Sequence, residues 1–288
     1  MAETFGVIAG AMSIAALSTS CVECFDYIQI GRRCGEDFQT ELLTLRFLKL
    51  RLSRWGAAVQ VYDDPPPPLA TADLELAKDT LGQILALFDE TEKVSRKFYP
   101  EAKRDENIVE IEPKFVALHS KITSLIGKRL TGLTVTKRQR IKWVLHDRER
   151  LSNLTQSVTK LLHNLEQEFP APEAQTALAK AEASEIIESI TDSEQKQPIL
   201  YLVGEVATGV DRLFRDELAG LTAKNTIGHI VCTGDAKIRD GDFYSNPWRG
   251  VKEVPQSGSM SIKSIHASGN SRVMNGHTYG GDKDSFWD

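Results

Sequence analysis

The sequence predicts an all-α helical bundle followed by a disordered tail able to form a two-rung β-solenoid. Three observations carry that prediction. Apolar residues recur at spacings of three and four through most of residues 36–221, the period of a helix with one buried face. The composition changes sharply near residue 223. Beyond that change, one glycine-punctuated segment occurs twice, thirty-five positions apart.

The boundary is compositional. Glycine appears 11 times in residues 1–223 and 9 times in the 65 that follow, and leucine is absent after Leu221. Leu, Ile, Val and Phe supply 11 of those last 65 residues, too few for an ordinary globular core. The tail is formally +1 (8 basic against 7 acidic), which leaves −6 on residues 1–223 within a net charge of −5. Residues 1–223 are therefore read as a helical domain and residues 224–288 as a separate tail.

Within the first part the elements follow in order. From Glu36 to Val61, the residues Phe38, Leu42, Leu45, Leu48, Leu52 and Trp55 keep helical spacing. The prolines of "DDPPPPLAT" end that helix, because proline lacks an amide donor and restricts its predecessor. Leu74, Leu76, Leu81, Ile84, Leu85 and Phe88 mark a second helix; Phe115, Leu118, Ile122, Leu125 and Ile126 mark a third after Pro113. Further helices are expected at Thr136–Asp147, Arg148–Phe169, Glu173–Ile190 and, from a Pro198 start, Gln197–Leu221. Almost nothing from 36 to 221 alternates with period two, which predicts an all-α bundle.

Thr4–Val22 is a run of 19 uncharged residues, near the lower length limit for crossing a bilayer. Phe5, Val7, Ile8, Met12, Ile14 and Leu17 supply its apolar character, and Gly6 and Gly10 stand at GxxxG spacing, which permits close helix approach. Its Ala, Ser and Gly content equally fits a helix buried in the bundle. Storage in the core followed by release reconciles the two readings.

Several functions are excluded or disfavoured. The net charge gives no field that would recruit nucleic acid. Four cysteines (21, 24, 34 and 232) do not make a secreted disulfide framework, which favours a reducing compartment. No Lys or Arg precedes Arg32, which argues against a signal peptide. Cys21 and Cys24 form a CxxC on a helical pattern with no second pair for a metal. No nucleophile elbow, Walker loop or dinucleotide fingerprint is present, so neither an enzyme nor a cofactor is expected. Residues 128–150 carry eight basic side chains against Asp147 and Glu149, which suits a solvated helix face or contact with anionic lipid headgroups.

The tail repeats are "NTIGHIVCTGDAKIRDGDFYS" (225–245) and "MSIKSIHASGNSRVMNGHTYG" (260–280). Superposing 227–241 on 262–276 gives identities at Ile227/Ile262, Ile230/Ile265, Gly234/Gly269 and Gly241/Gly276, and eleven of fifteen positions agree in kind. Such a period signals stacked rungs. Two rungs alone leave both ends open, and ordering costs roughly 1–2 kcal/mol of backbone entropy per residue. A lone copy is thus expected to stay disordered. Copies that stack cover every edge but the outermost two, with strands about 4.7 Å apart, and that assembly is an amyloid. The four glycines let short strands turn corners.

With the repeats in place, the chain resembles the HET-s/HET-S family of fungal heterokaryon-incompatibility prion proteins over nearly its whole length. "ETFGVIAGA", "CVECFDYIQIGR" and "LRLSRWGAAV" resemble the start of that family's helical HeLo domain. "YGG" (279–281) and "FWD" (286–288) resemble the end of its prion-forming region. The resemblance implies a repeat tail that forms a two-rung-per-molecule β-solenoid amyloid. Its growth refolds the HeLo domain, whose N-terminal segment then enters membranes and kills the cell. It also implies Ile227, Ile230, Ala236, Ile238, Ile262, Ile265, Ser271 and Val273 as inward-facing positions. Phe286 and Trp287 would fold back over the core, and Thr4–Val22 would leave the bundle.

Implied partners are other copies of the chain, as amyloid or as a dimer through the helical domain, a NOD-like receptor carrying a similar motif, and membrane lipids. The implied location is cytoplasmic, moving to the plasma membrane on activation. A non-toxic prion or scaffold that propagates the fold without membrane damage is the alternative. The chain departs from the family pattern in its ladders: Asn225 faces Met260, Asp242 faces His277, and Gly228/Lys263, Thr233/Ser268 and Asp235/Asn270 replace opposite-charge pairs.

Overall fold

The computed structural model describes residues 13–31, 38–63, 71–98, 110–131, 142–145, 147–222, 225–240 and 260–275. The chain divides into two compact units, residues 1–217 and 218–288.

The first unit is helical. Its described helices are α1 (Ile14–Cys24), α2 (Phe38–Ala58), α3 (Thr71–Phe98), α4 (Val116–Leu130), α5 (Arg148–Glu168), α6 (Pro172–Ser189), α7 (Ser193–Val210) and the start of α8 (Arg212–Thr222). Ser13, Asp147 and Asp192 cap α1, α5 and α7 with their side-chain oxygens, supplying acceptors for amides that have none within the helix. The prolines at 113 and 172 stand in the first turns of a 3-10 turn and of α6, where no amide donor is needed.

Helix α2 is the axis of the bundle. Ten consecutive residues, Phe47 to Gly56, are buried, because α1, α4, α5, α6 and α7 all pack against it. The expected apolar stripe is present, yet the helix is enclosed all round rather than on one face. Phe47 meets Phe214 with ring centroids 4.9 Å apart, and Trp55 meets Phe169 at 6.2 Å, geometries that aromatic quadrupoles favour.

Two expectations need correction. Residues 143–145, placed in a Thr136–Asp147 helix, form a strand, β2 (Trp143–Leu145), parallel to β1 (Ile28–Ile30) with Ile28 opposite Trp143. Both strands bury their first and third residues and half-bury the middle one, the two-residue period of a sheet. Three residues of alternation are too short a signal to read in a chain otherwise helical. The single Gln197–Leu221 helix is in fact two, α7 and α8, broken at Asp211. It also starts earlier, at Ser193, with Pro198 inside the helix.

Among its described residues the second unit carries four strands: β3 (Asn225–Cys232), β4 (Lys237–Asp240), β5 (Met260–Ala267) and β6 (Arg272–Asn275). β3 pairs with β5 and β4 with β6, both in parallel. Each of these sheets has two strands among the described residues, so their outer edges carry no strand partner there.

Candidate functional site

The tail pairs at the offset given by its sequence repeat. Ile227 faces Ile262, Ile230 faces Ile265, Cys232 faces Ala267 and Ile238 faces Val273. Asn225 faces Met260 and Lys237 faces Arg272; both of these cations are exposed, as stacked like charges require. The turns between strands repeat as well. Gly234 and Gly269 take φ of +68° and +73°, a region that residues with a Cβ rarely enter. A Cβ on Gly269 would stand 3.0 Å from the Gly234 carbonyl oxygen, so the two turns lie directly on one another. Ser268 donates its amide to the Cys232 carbonyl at 3.0 Å, and Arg272 to the Ala236 carbonyl at 2.8 Å. His229 and Ser264 share a side-chain hydrogen bond of 2.7 Å across the rungs.

The rungs are unequally covered. Ile230 and Cys232 are buried, whereas their partners Ile265 and Ala267 are exposed, Ile265 by 42 %. Ala236, Ile238, Ser271 and Val273 are half-buried. The second rung thus presents a β-branched residue together with a strand edge that has no partner among the described residues, the combination that recruits further strands.

Of the segment expected to enter membranes, Ile14 and Leu17 lie on α1 and are buried; Phe5, Gly6, Val7, Ile8, Gly10 and Met12 lie outside the described residues. So do Gly241, Gly276, Phe286 and Trp287 of the tail. No helix among the described residues is long and apolar enough to cross a membrane.

Polar contacts add to the apolar face that holds α1 in the bundle. Ser18 Oγ and Tyr62 Oη are 2.8 Å apart, and burial pushes the Tyr62 phenol up to about 12. Cys21 donates its thiol to the Leu81 carbonyl at 3.3 Å; Cys21 and Cys24 are buried and form no disulfide among the described residues. Just after α1, Asp26 accepts from Lys49 Nζ at 2.5 Å and pairs with Arg46 at 3.3 Å. Burial holds Lys49 below its ordinary value despite that carboxylate.

The sequence reading missed the polar centre of the bundle. Arg54 on α2 is fully buried and reaches Glu182 Oε2 on α6 at 2.5 Å and both oxygens of Asp211 at 2.5 and 2.6 Å. Arg129, from the basic stretch expected to form a solvated face, instead turns inward to Glu182 Oε1 at 2.5 Å and to Ser53 Oγ at 3.1 Å. Burial opposes the Arg54 charge, yet Asp211 and then Glu182 outweigh it and hold the guanidinium above its ordinary value. Burial likewise raises Glu182, against the pull of Arg54 and Arg129. Nearby, Arg51 grips Glu166 on α5 with two nitrogens, at 2.8 and 2.5 Å, and donates to the Val210 carbonyl at 2.6 Å.

Asp211 serves three purposes at once. Its amide bonds the Ala207 carbonyl and ends α7; its Oδ1 accepts from the Phe214 amide and starts α8; and its carboxylate neutralises Arg54. The signals available in sequence were arginines inside the apolar run "LRLSRW" and an aspartate after Gly209 and Val210. Neither names its distant partner.

An α2-centred bundle with a charged core, followed by a self-pairing repeat tail, defines the class of protein. The family model described as "HeLo: Prion-inhibition and propagation" matches residues 6–196, and the chain belongs to the HeLo family. It is 29 % identical over its whole length, and over the whole of the relative, to "Heterokaryon incompatibility protein s" of Podospora anserina. Protein S of the same fungus matches equally, at 29 %. Among solved structures, the HET-S N-terminal domain superposes with a TM-score of 0.63 at 32 % identity, covering 75 % of this chain and 96 % of that one. A doubly substituted HET-s N-terminal domain gives 0.62 at 30 %, covering 72 % and 97 %.

Proposed function

We propose that this chain is an amyloid-gated cell-death effector of the heterokaryon-incompatibility type, with no enzymatic step. The observation that carries the reading is the parallel pairing of the two repeats at a 35-residue offset on a chain whose helical part is HeLo. The open edges of β3 and β5 accept strands from sister molecules, or from a receptor of NOD-like type that carries a similar motif. Only two residues separate the end of α8 from β3, and the unit boundary at 217/218 falls inside α8. Ordering of the rungs therefore pulls on the helix whose first turn is fixed by Asp211. Losing that turn unpairs Arg54 in the core, loosens α2 and frees α1 with the segment before it for a membrane. The soluble form resides in the cytosol and acts at the plasma membrane.

The test is dye release from anionic liposomes by the full chain, with and without preformed fibres of residues 224–288. The reading predicts release only on seeding. Fibre growth that leaves the vesicles intact would reassign the chain as a non-toxic prion or scaffold.

A further inference from the structure

We infer that the helical unit carries a binding site for a phosphorylated polyol at the joint between α7 and α8. A groove of about 590 Å³ opens there, walled by α5 on one side and by residues 209–213 on the other. That volume lies within the range of small-molecule sites. Two acids line it, Glu166 and Asp211. Both are spent: Glu166 on Arg51 and Asp211 on Arg54. The two cations, Lys160 on α5 and Arg212 on α8, are not: they line the groove with the His163 imidazole, are exposed, and make no ion pair among the described residues.

The backbone adds to this. Arg212 and Leu213 open α8, and their amides have no acceptor among the described residues, whereas the Phe214 amide is taken by Asp211. Free amides at a helix start favour anions; here they share a cavity with two uncommitted cationic side chains and an imidazole. Gln156 and Thr159 supply neutral polar groups beside them. Beyond the imidazole of His163, no aromatic side chain among the described residues lines the groove, so a nucleobase would find no stacking wall there. Several phosphates on a hydroxyl-rich frame fit the donor set better. Such a ligand would bridge α5 to α8 across the Asp211 joint and stabilise the closed bundle by mass action. The inference does not depend on tail assembly.

The test uses the full soluble chain and inositol hexakisphosphate as the probe, with inorganic phosphate for comparison. The site predicts that the hexakisphosphate binds more tightly than phosphate. It should also raise Tm by roughly 5 °C at about 100 times its Kd. Lys160→Gln and Arg212→Gln should each weaken binding about tenfold with the unliganded Tm unchanged, and Lys160→Arg should restore it. If Arg212→Gln disturbs folding, Lys160→Gln alone decides, because it lies on the surface of α5. Vesicles carrying phosphatidylinositol bisphosphate that compete with the soluble probe would identify the source as a lipid headgroup. Binding of the soluble probe without such competition would identify a free ligand. Affinity no better than phosphate, or unaltered in Lys160→Gln, would overturn the site.

Discussion

Arg54 and Asp211 stand 157 positions apart in the chain and form a two-oxygen ion pair with both side chains 1 % exposed. This pair joins the central helix to the break between α7 and α8, so the charge balance of the core depends on the geometry of the last helix. Removing one partner from such a pair leaves an uncompensated charge in an apolar interior.

Asp211→Ala should therefore lower unfolding stability by about 3–5 kcal/mol, read as a reduced urea midpoint at unchanged slope. A joint replacement of Arg54 and Asp211 by apolar residues of similar volume should recover much of that loss, because Glu182 then still has Arg129 as its partner.

Gly56→Ala should loosen α1. The added Cβ would stand 2.4 Å from Tyr62 Oη, and the ring could yield only by giving up its 2.8 Å bond to Ser18. Overpacking of this kind costs about 1–3 kcal/mol. Differential scanning calorimetry should show the lower Tm, and on the proposed mechanism seeded liposome leakage should become faster.

His119 makes stability depend on pH in the acid range. Both of its ring nitrogens are buried without a partner among the described residues. Burial, and then the Arg46 charge, lowers it from 6.5 to about 4. The unfolded chain therefore takes up a proton below pH 6.5 that the folded chain refuses. Stability should fall from pH 6.5 down to about 4 and level off below it, by on the order of 2–3 kcal/mol in all. His119→Leu should remove that slope and raise stability at neutral pH. An unchanged slope in chemical denaturation from pH 7 to 4 would count against it.

Gly234 and Gly269 should differ in the single chain and agree in a fibre. Alanine strains either position through its positive φ, but only at 269 does the Cβ also meet backbone, at 3.0 Å. When sister rungs stack, Gly234 of one molecule faces Gly269 of the next, and the difference should vanish. Both variants should then nucleate fibres more slowly, to similar extents, in thioflavin T kinetics, with the Tm of the helical unit unchanged.

Most of the helices and the repeat offset were legible because each rests on local periodicity or on identity between segments. Phe47–Gly56 shows where that ends: the stripe Leu45, Leu48, Leu52 and Trp55 predicts a helix, but not that five others enclose it. The arginines at 51, 54 and 129 look like solvated charges until Glu166, Glu182 and Asp211 arrive from elsewhere in the chain. Ile28–Ile30 and Trp143–Leu145 are too short for a period-two pattern to stand out, and their pairing is a tertiary event.

The account rests on rungs that alternate between molecules, and magic-angle-spinning NMR of mixed-label fibres of the full chain measures this most directly. With one population labelled at Ile230 and the other at Ile265, cross-population contacts between the two should appear, because β5 of one chain lies against β3 of the next. Contacts between Ile230 and Ile230 of different molecules, with none to Ile265, would mean identical strands stacking in register, and the two-rung repeat would not be the unit of assembly.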